Sequence, residues 1–254
     1  MGFKTKIVAI LNITPDSFSD GGKYFNERNI LQRTQELIDE GAAIIDIGAE
    51  STRPEATPLN ANQEWDRLKD ILPKIIKLCH ENKVLTSLDS YHIESVSKAI
   101  DLGIDWINDV NGFKDPNMIK AVQNSEVKLV IVHSLSVPVD RNIIIFGDPI
   151  LEVRKWAKDK IENLTQNGIN LDRIIFDPGI GFSKNTIQSW QLINNISEFK
   201  DLGVPIYVGH SKKSFLGNQV DKVHATLEVS KQLITNKIDY IRVHDVKEHV
   251  DILC

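Results

Sequence analysis

Eight short runs dominated by Val, Ile and Leu recur along the chain, at 6–11, 43–47, 84–88, 105–107, 128–132, 173–176, 205–208 and 239–243. Most are nearly continuous in apolar residues rather than alternating with polar ones, which suits parallel strands covered on both faces. Longer stretches with helical spacing separate them. Ile30, Leu31, Thr34, Leu37 and Ile38 follow the i, i+3, i+4, i+7 pattern and end at Gly41. Trp65, Leu68, Ile71, Leu72, Ile75, Ile76 and Cys79 repeat it, with Pro73 kinking or interrupting the stretch. Further amphipathic stretches close at Gly103, Gly168 and Gly203, and a final helix starts at Val246. A strand-then-helix unit repeated eight times in 254 residues implies right-handed parallel crossovers and predicts an α/β fold, a single (β/α)8 TIM barrel over residues 1–254. An open doubly wound sheet is the alternative. It needs a glycine-rich dinucleotide turn after the first strand, and Asn12-Ile13-Thr14-Pro15 is not one.

Composition narrows the partners. With 30 Lys+Arg against 35 Asp+Glu the net charge is −5, which argues against a chain built to coat nucleic acid. No apolar run approaches the ~18 residues that span a membrane. The apolar run behind the N-terminus is too short for a signal-peptide core. Cys79 and Cys254 lie far apart in no metal or redox spacing. The expectation is a cytoplasmic globule.

In barrels the active site lies at the C-terminal ends of the strands. Those ends carry Asn12, then Asp46 with Glu50-Ser51-Thr52-Arg53, Asp89, Asn108-Asp109, His133, Asp177, Gly209-His210-Ser211-Lys212-Lys213-Ser214, and Arg242-Val243-His244-Asp245. Asp46 and Asp245 read best as helix N-caps. Eight polar strand ends converging on one mouth are harder to explain by capping, and they offer several anchors to a small polar, anion-tolerant ligand. His133, His210 and His244 lie on different strands without metal-ligand spacing. No Gly-x-Ser-x-Gly nucleophile elbow occurs. His80, His92, His224 and His249 read as surface or helix residues without a role.

The motifs are long. They run Asn12-Ile13-Thr14-Pro15-Asp16-Ser17-Phe18-Ser19-Asp20-Gly21-Gly22, Asp46-Ile47-Gly48-Ala49-Glu50-Ser51-Thr52-Arg53-Pro54, Asp89-Ser90 and Ile107-Asn108-Asp109-Val110. Asp177-Pro178-Gly179-Ile180-Gly181-Phe182, Ser211-Lys212-Lys213-Ser214-Phe215 and Arg242-Val243-His244-Asp245-Val246 follow. In this order the chain resembles the dihydropteroate synthases over essentially its whole length. The resemblance implies a pterin-binding TIM barrel that condenses 6-hydroxymethyl-7,8-dihydropterin diphosphate with p-aminobenzoate, releasing diphosphate. It implies that Asp89, Asn108, Asp177 and Lys213 hold the pterin. Asn12, Arg242 and His244 would take the diphosphate, with Mg²⁺ bridging to Asn12. Thr52, Arg53, Pro54, Phe182 and Ser214 would line the p-aminobenzoate site, where sulfonamides compete. The loops at 14–26 and 50–62 would act as lids, with Asp20 and Arg53 meeting the ligands. A homodimer built on late helices is implied as well.

The chemistry of these residue types fits such roles. A carboxylate such as Asp177 accepts two parallel N–H groups from a 2-amino-4-oxo pyrimidine edge. Asn108 can donate or accept. Arg242 can clamp two phosphate oxygens in a fork.

The chain also departs from the family's pattern. Ala49 and Glu55 replace glycines, Ser90 replaces threonine, and Lys212 stands where arginine is commoner. Val132-His133-Ser134 replaces Met-His-Met, so the fifth wall of the pocket is expected to differ. The helix after Asp245 is short, which weakens the homodimer expectation. Two other readings stand beside the main one. A methyltetrahydrofolate-binding methyltransferase would lack the Ser-Lys-Lys-Ser and Arg-Val-His elements, and a pterin-binding paralogue would bind without condensing.

Overall fold

The computed structural model describes residues 4–13, 23–50, 57–138, 140, 142–217 and 221–253, with the side chains of 23–26 left aside. Its elements run β1 (Lys6–Asn12), α1 (Lys23–Asp39), β2 (Ile44–Gly48), α2 (Ala61–Leu68), α3 (Leu72–Glu81), β3 (Leu85–Asp89) and α4 (Ile93–Asp101). They continue with β4 (Trp106–Asp109), α5 (Pro116–Gln123), β5 (Lys128–Val132), α6 (Pro149–Gln166), β6 (Ile174–Asp177) and α7 (Thr186–Asn194). The last are β7 (Tyr207–Gly209), α8 (Lys222–Thr235), β8 (Tyr240–Val243) and α9 (Val246–Asp251).

Local chemistry sets the boundaries. Pro73 does not kink a single helix but starts α3, where its missing N–H costs nothing. The stretch therefore splits into α2 and α3. Asn60 and Gln63 close a capping box on α2, and Asn185 and Gln188 do the same on α7. Asp148 caps α6 ahead of Pro149, and Asp115 caps α5 ahead of Pro116. The stretch expected to run on through Phe199 breaks after α7 into a 3₁₀ segment at Ile196–Leu202, which Gly203 ends in the left-handed region.

Every strand pairs parallel with its neighbours, in the order β6-β5-β4-β3-β2-β1-β8-β7. A bridge between Phe176 and Ile206, with the Phe176 N–H donating to the Pro205 carbonyl at 2.9 Å, joins β6 to β7 and closes the barrel. Because side chains alternate along a strand, each apolar run serves two cores. Ile45, Ile47, Leu88, Ile107, Leu129, Ile131, Phe176, Val208 and Ile241 face outward under the helices. Val8, Ile44, Trp106, Val130, Ile175 and Tyr207 face inward and fill the lower barrel. Trp106 and Tyr240 meet there edge to face at 4.9 Å. At roughly 1.5–3 kcal/mol per fully buried aliphatic side chain, the outer seam is the main store of stability. The inward set stops below the mouth. Above it most inward positions turn polar, and that change positions the site.

Candidate active site

The upper barrel holds a cavity lined by Asp89, Asn108, Val110, Val132, Asp177, Phe182, Gly209, Lys213 and Arg242. Its centre is an ion-pair network. Arg242 on β8 donates from Nε to Asp46 Oδ2 and from Nη2 to Asp89 Oδ2, both at 2.6 Å. Burial works against its charge, but Asp46 and Asp89 outweigh that and raise its pKa. Asn108 on β4 donates from Nδ2 to Asp46 Oδ2 at 3.0 Å, while its Oδ1 is buried without a partner in the protein. Asp89 is raised above the usual carboxylate range by burial, against the pull of Arg242.

Asp177 ends β6 and is 4% exposed. Its Oδ1 accepts the Gly179 N–H at 2.7 Å, and Gly179 needs a glycine because a side chain there would run into the His133 carbonyl. A Cβ on Gly209 would stand 3.6 Å from Asp177 Oδ2, so this glycine leaves space beside that oxygen. Burial raises Asp177, opposed by Lys213, by the Gly179 hydrogen bond and by Lys184. Lys213 donates to the Ile180 carbonyl at 2.5 Å and lies 4.2 Å from the centre of the Phe182 ring. Burial draws its ammonium down to about 8, with Asp177 opposing.

At the mouth, Asn12 ends β1 with its Oδ1 and the Asp89 carboxylate on either side of the space over Gly48. His244 Nδ1 pairs with Ser211 Oγ at 2.9 Å. Ser214 begins a short 3₁₀ turn (Ser214–Leu216), is exposed, and does not line the cavity. The structure thus brings Asp89, Asn108, Asp177, Phe182, Lys213 and Arg242 together around one cavity, and places Asn12 and His244 at strand ends of the same mouth. Asp20, Thr52, Arg53 and Pro54 lie outside the described residues.

Two sequence expectations are corrected. Asp46 caps no helix: it lies within β2, fully buried, beneath both Asn108 and Arg242. The signal was available, since Asp46 shares strand parity with inward-facing Ile44. Asp245 does stand at the N-cap of α9, but its side chain makes no capping bond and accepts from Lys212 Nζ at 2.8 Å instead.

Several neighbours were not foreseen. Lys184, 7% exposed, donates to His133 Nδ1, His133 O and Phe182 O at 2.8, 3.2 and 2.8 Å, stitching the loops after β5 and β6 together. Burial holds His133 down to about 2, so it accepts as a neutral ring. The fifth wall facing the cavity is Val132. His249 is a helix residue of α9, buried within the fold. His92 is also not a bystander. It pairs with Glu50 at 2.8 Å, and Glu50 also accepts from Tyr91 Oη at 2.7 Å and the Leu59 N–H at 3.0 Å. Glu50, Glu64 and His92 come within reach of one another. Hydrogen bonding to Glu50 raises the His92 pKa.

No helix among the described residues is long and apolar enough to cross a membrane. The chain matches the family of pterin binding enzymes over residues 8–244. It is 35% identical to the dihydropteroate synthase of Bacillus subtilis, an alignment covering 96% of this chain and 85% of that protein. A probable bifunctional folylpolyglutamate synthase/dihydropteroate synthase of Halobacterium salinarum is 36% identical over 98% of this chain, which spans only 31% of that longer protein. The crystal structure of dihydropteroate synthase from Anaplasma phagocytophilum with bound 6-hydroxymethylpterin-monophosphate matches with a TM-score of 0.90 at 35% identity, covering 98% of this chain and 97% of that one. This chain, with its polar cavity at the C-terminal end of the barrel, belongs to the dihydropteroate synthase family of pterin-binding enzymes.

Proposed function

We propose that this chain, a single barrel domain, condenses 6-hydroxymethyl-7,8-dihydropterin diphosphate with p-aminobenzoate, giving 7,8-dihydropteroate and diphosphate. The observation that carries the reading is the pairing, in one cavity, of acceptors deep in the barrel (Asp177, Asn108 Oδ1) with a buried cation that spans two carboxylates (Arg242). The relative from Anaplasma phagocytophilum binds a pterin monophosphate, which has the same two chemical halves.

In this reading Asp177 takes two parallel N–H groups of the pyrimidine edge. The Lys213 ammonium, 4.2 Å from the centre of the Phe182 ring, would meet the pterin's remaining acceptors. Arg242 shifts part of its hydrogen bonding from Asp89 to the diphosphate as charge develops on the leaving group, with His244 and Asn12 at the rim. Departure of diphosphate leaves a cation on the exocyclic carbon, stabilised by the electron-rich pterin. The weakly basic arylamine then attacks with little general-base help, so positioning and leaving-group stabilisation supply most of the rate. Thr52, Arg53, Pro54, Phe182 and Ser214 are assigned to the arylamine, and Asp20 to the ligand-covering loop.

Asn12 Oδ1, a hard oxygen ligand beside Gly48 at the mouth, suits Mg²⁺. When bound, the metal would neutralise charge on the departing diphosphate. The reading includes a homodimer and a cytoplasmic setting.

The test is diphosphate release from the two substrates, with and without Mg²⁺. Release that requires both substrates and stops with EDTA is expected. Pterin binding without release would replace this reading with the non-condensing one. Lys213 adds a pH signature. Its charge is present at neutral pH and lost as pH rises through about 8. The alkaline limb of kcat/KM is therefore expected near that pH. In Lys213→Arg, which stays charged, the limb moves beyond roughly pH 10. An unshifted limb would assign the titration to another group.

A further inference from the structure

We propose that Asp46 is a positioning residue that sets which hydrogen-bonding face Asn108 shows a ligand and where the Arg242 guanidinium sits. The proposal rests on the functional reading above for its substrates, though not for its geometry. Asp46 is 0% exposed and does not line the cavity, yet its Oδ2 touches two residues that do. That oxygen accepts from Arg242 Nε at 2.6 Å and from Asn108 Nδ2 at 3.0 Å.

The consequence for Asn108 follows from donor and acceptor counting. The two ends of an asparagine amide are distinguished only by what they bond to. A carboxylate oxygen already accepting from a guanidinium can offer Asn108 nothing but another acceptor site, so the NH2 end must face Asp46. Oδ1 is then left over, buried and unpartnered. Asn108 thus serves as a fixed acceptor beside Asp177, and the cavity asks for N–H groups in succession. A 2-amino-4-oxo pyrimidine edge supplies three N–H bonds there, from its ring nitrogen and its amino group. An edge presenting an acceptor at that point meets an oxygen instead and is refused.

The second consequence concerns Arg242. Holding Nε from below turns the guanidinium so that Nη2 reaches Asp89 at 2.6 Å, at the mouth. One buried carboxylate therefore aligns both halves of the site. Stability does not call for it. Asp46 Oδ1 is itself buried and unpartnered, and well-packed apolar residues often replace buried ion pairs without loss.

Two measurements test the assignment. In the ligand-free wild type, the Asn108 side-chain NH2 protons are expected to exchange slowly and resonate downfield, as a donor pinned to a carboxylate. In Asp46→Asn, residue 46 can donate or accept, so the Asn108 amide is free to turn and that signature is lost. With Mg²⁺ present, the KM for dihydropterin diphosphate in this variant is expected to rise about tenfold or more, while that for p-aminobenzoate stays within about twofold, since only the pterin and diphosphate contacts are disturbed. A change of equal size in both KM values, or no change in either, would overturn the proposal. Rapid exchange of the Asn108 amide in the wild type would overturn it without any variant. Absence of turnover in the wild type would instead overturn the functional reading, and the amide measurement would still decide the role of Asp46.

Discussion

Replacement of Arg242 with alanine is expected to lower kcat by about 10²–10³-fold, the usual cost of removing one preorganised group that meets developing charge. It should also lower stability by about 3–5 kcal/mol, because the change leaves buried carboxylates without their cation. Both effects trace to the same pair of 2.6 Å bonds, to Asp46 and Asp89. A chain with a margin in the middle or upper part of the ordinary range of about 5–15 kcal/mol remains folded after such a loss. Adding Asp46→Asn to Arg242→Ala removes one of the two orphaned carboxylate charges and should recover part of the stability, since contacting residues couple non-additively. It should recover none of the turnover. Denaturant unfolding and steady-state diphosphate release read the two effects separately. Turnover close to that of the wild type in Arg242→Ala would remove this residue from leaving-group stabilisation.

Asp177→Asn is expected to act in the opposite sense on fold and function. Two charge-assisted hydrogen bonds to the ligand are lost, at about 1.5–3 kcal/mol each, so affinity for a dihydropterin should fall by about 10²–10⁴-fold. The amide also turns a donor toward a ligand edge made of donors. Stability should be unchanged or higher. Burial raises the Asp177 pKa, which means the fold disfavours the charge that binding needs. Titration calorimetry with a dihydropterin and a thermal melt check the pair of outcomes. Affinity within tenfold of the wild type would show that the pyrimidine edge is held elsewhere.

How much of this was legible beforehand varies with the kind of information involved. The eight strands were readable because a parallel strand covered on both faces must be apolar nearly throughout, and few other elements leave that mark. The residues at their ends were readable because a barrel gathers strand ends at one mouth. Asp89, Asn108, Asp177 and Arg242 could accordingly be placed in one site without coordinates. Asp46 was misread for a specific reason. Position along a strand suggests a helix cap, whereas parity, which sends Asp46 inward two residues before the strand ends, is the better guide. Lys184 and His92 were passed over because nothing in the linear order relates them to His133 and Glu50, which lie 51 and 42 residues away. The substitutions in the fifth strand were visible in sequence. Which of them faces the cavity, Val132, was not, because that depends on the barrel's register.

Hydrophobic periodicity and the order of polar strand ends are one-dimensional quantities, so the barrel, the mouth and the inventory of its side chains could be read from the chain alone. Hydrogen-bond partnership is a three-dimensional quantity set by distances of a few tenths of an ångström. Only the folded barrel could therefore turn Asn108 from a group able to donate or accept into an acceptor. The same is true of Arg242, read from sequence as a free anion clamp and found already bridging two carboxylates, so that a leaving group must share it.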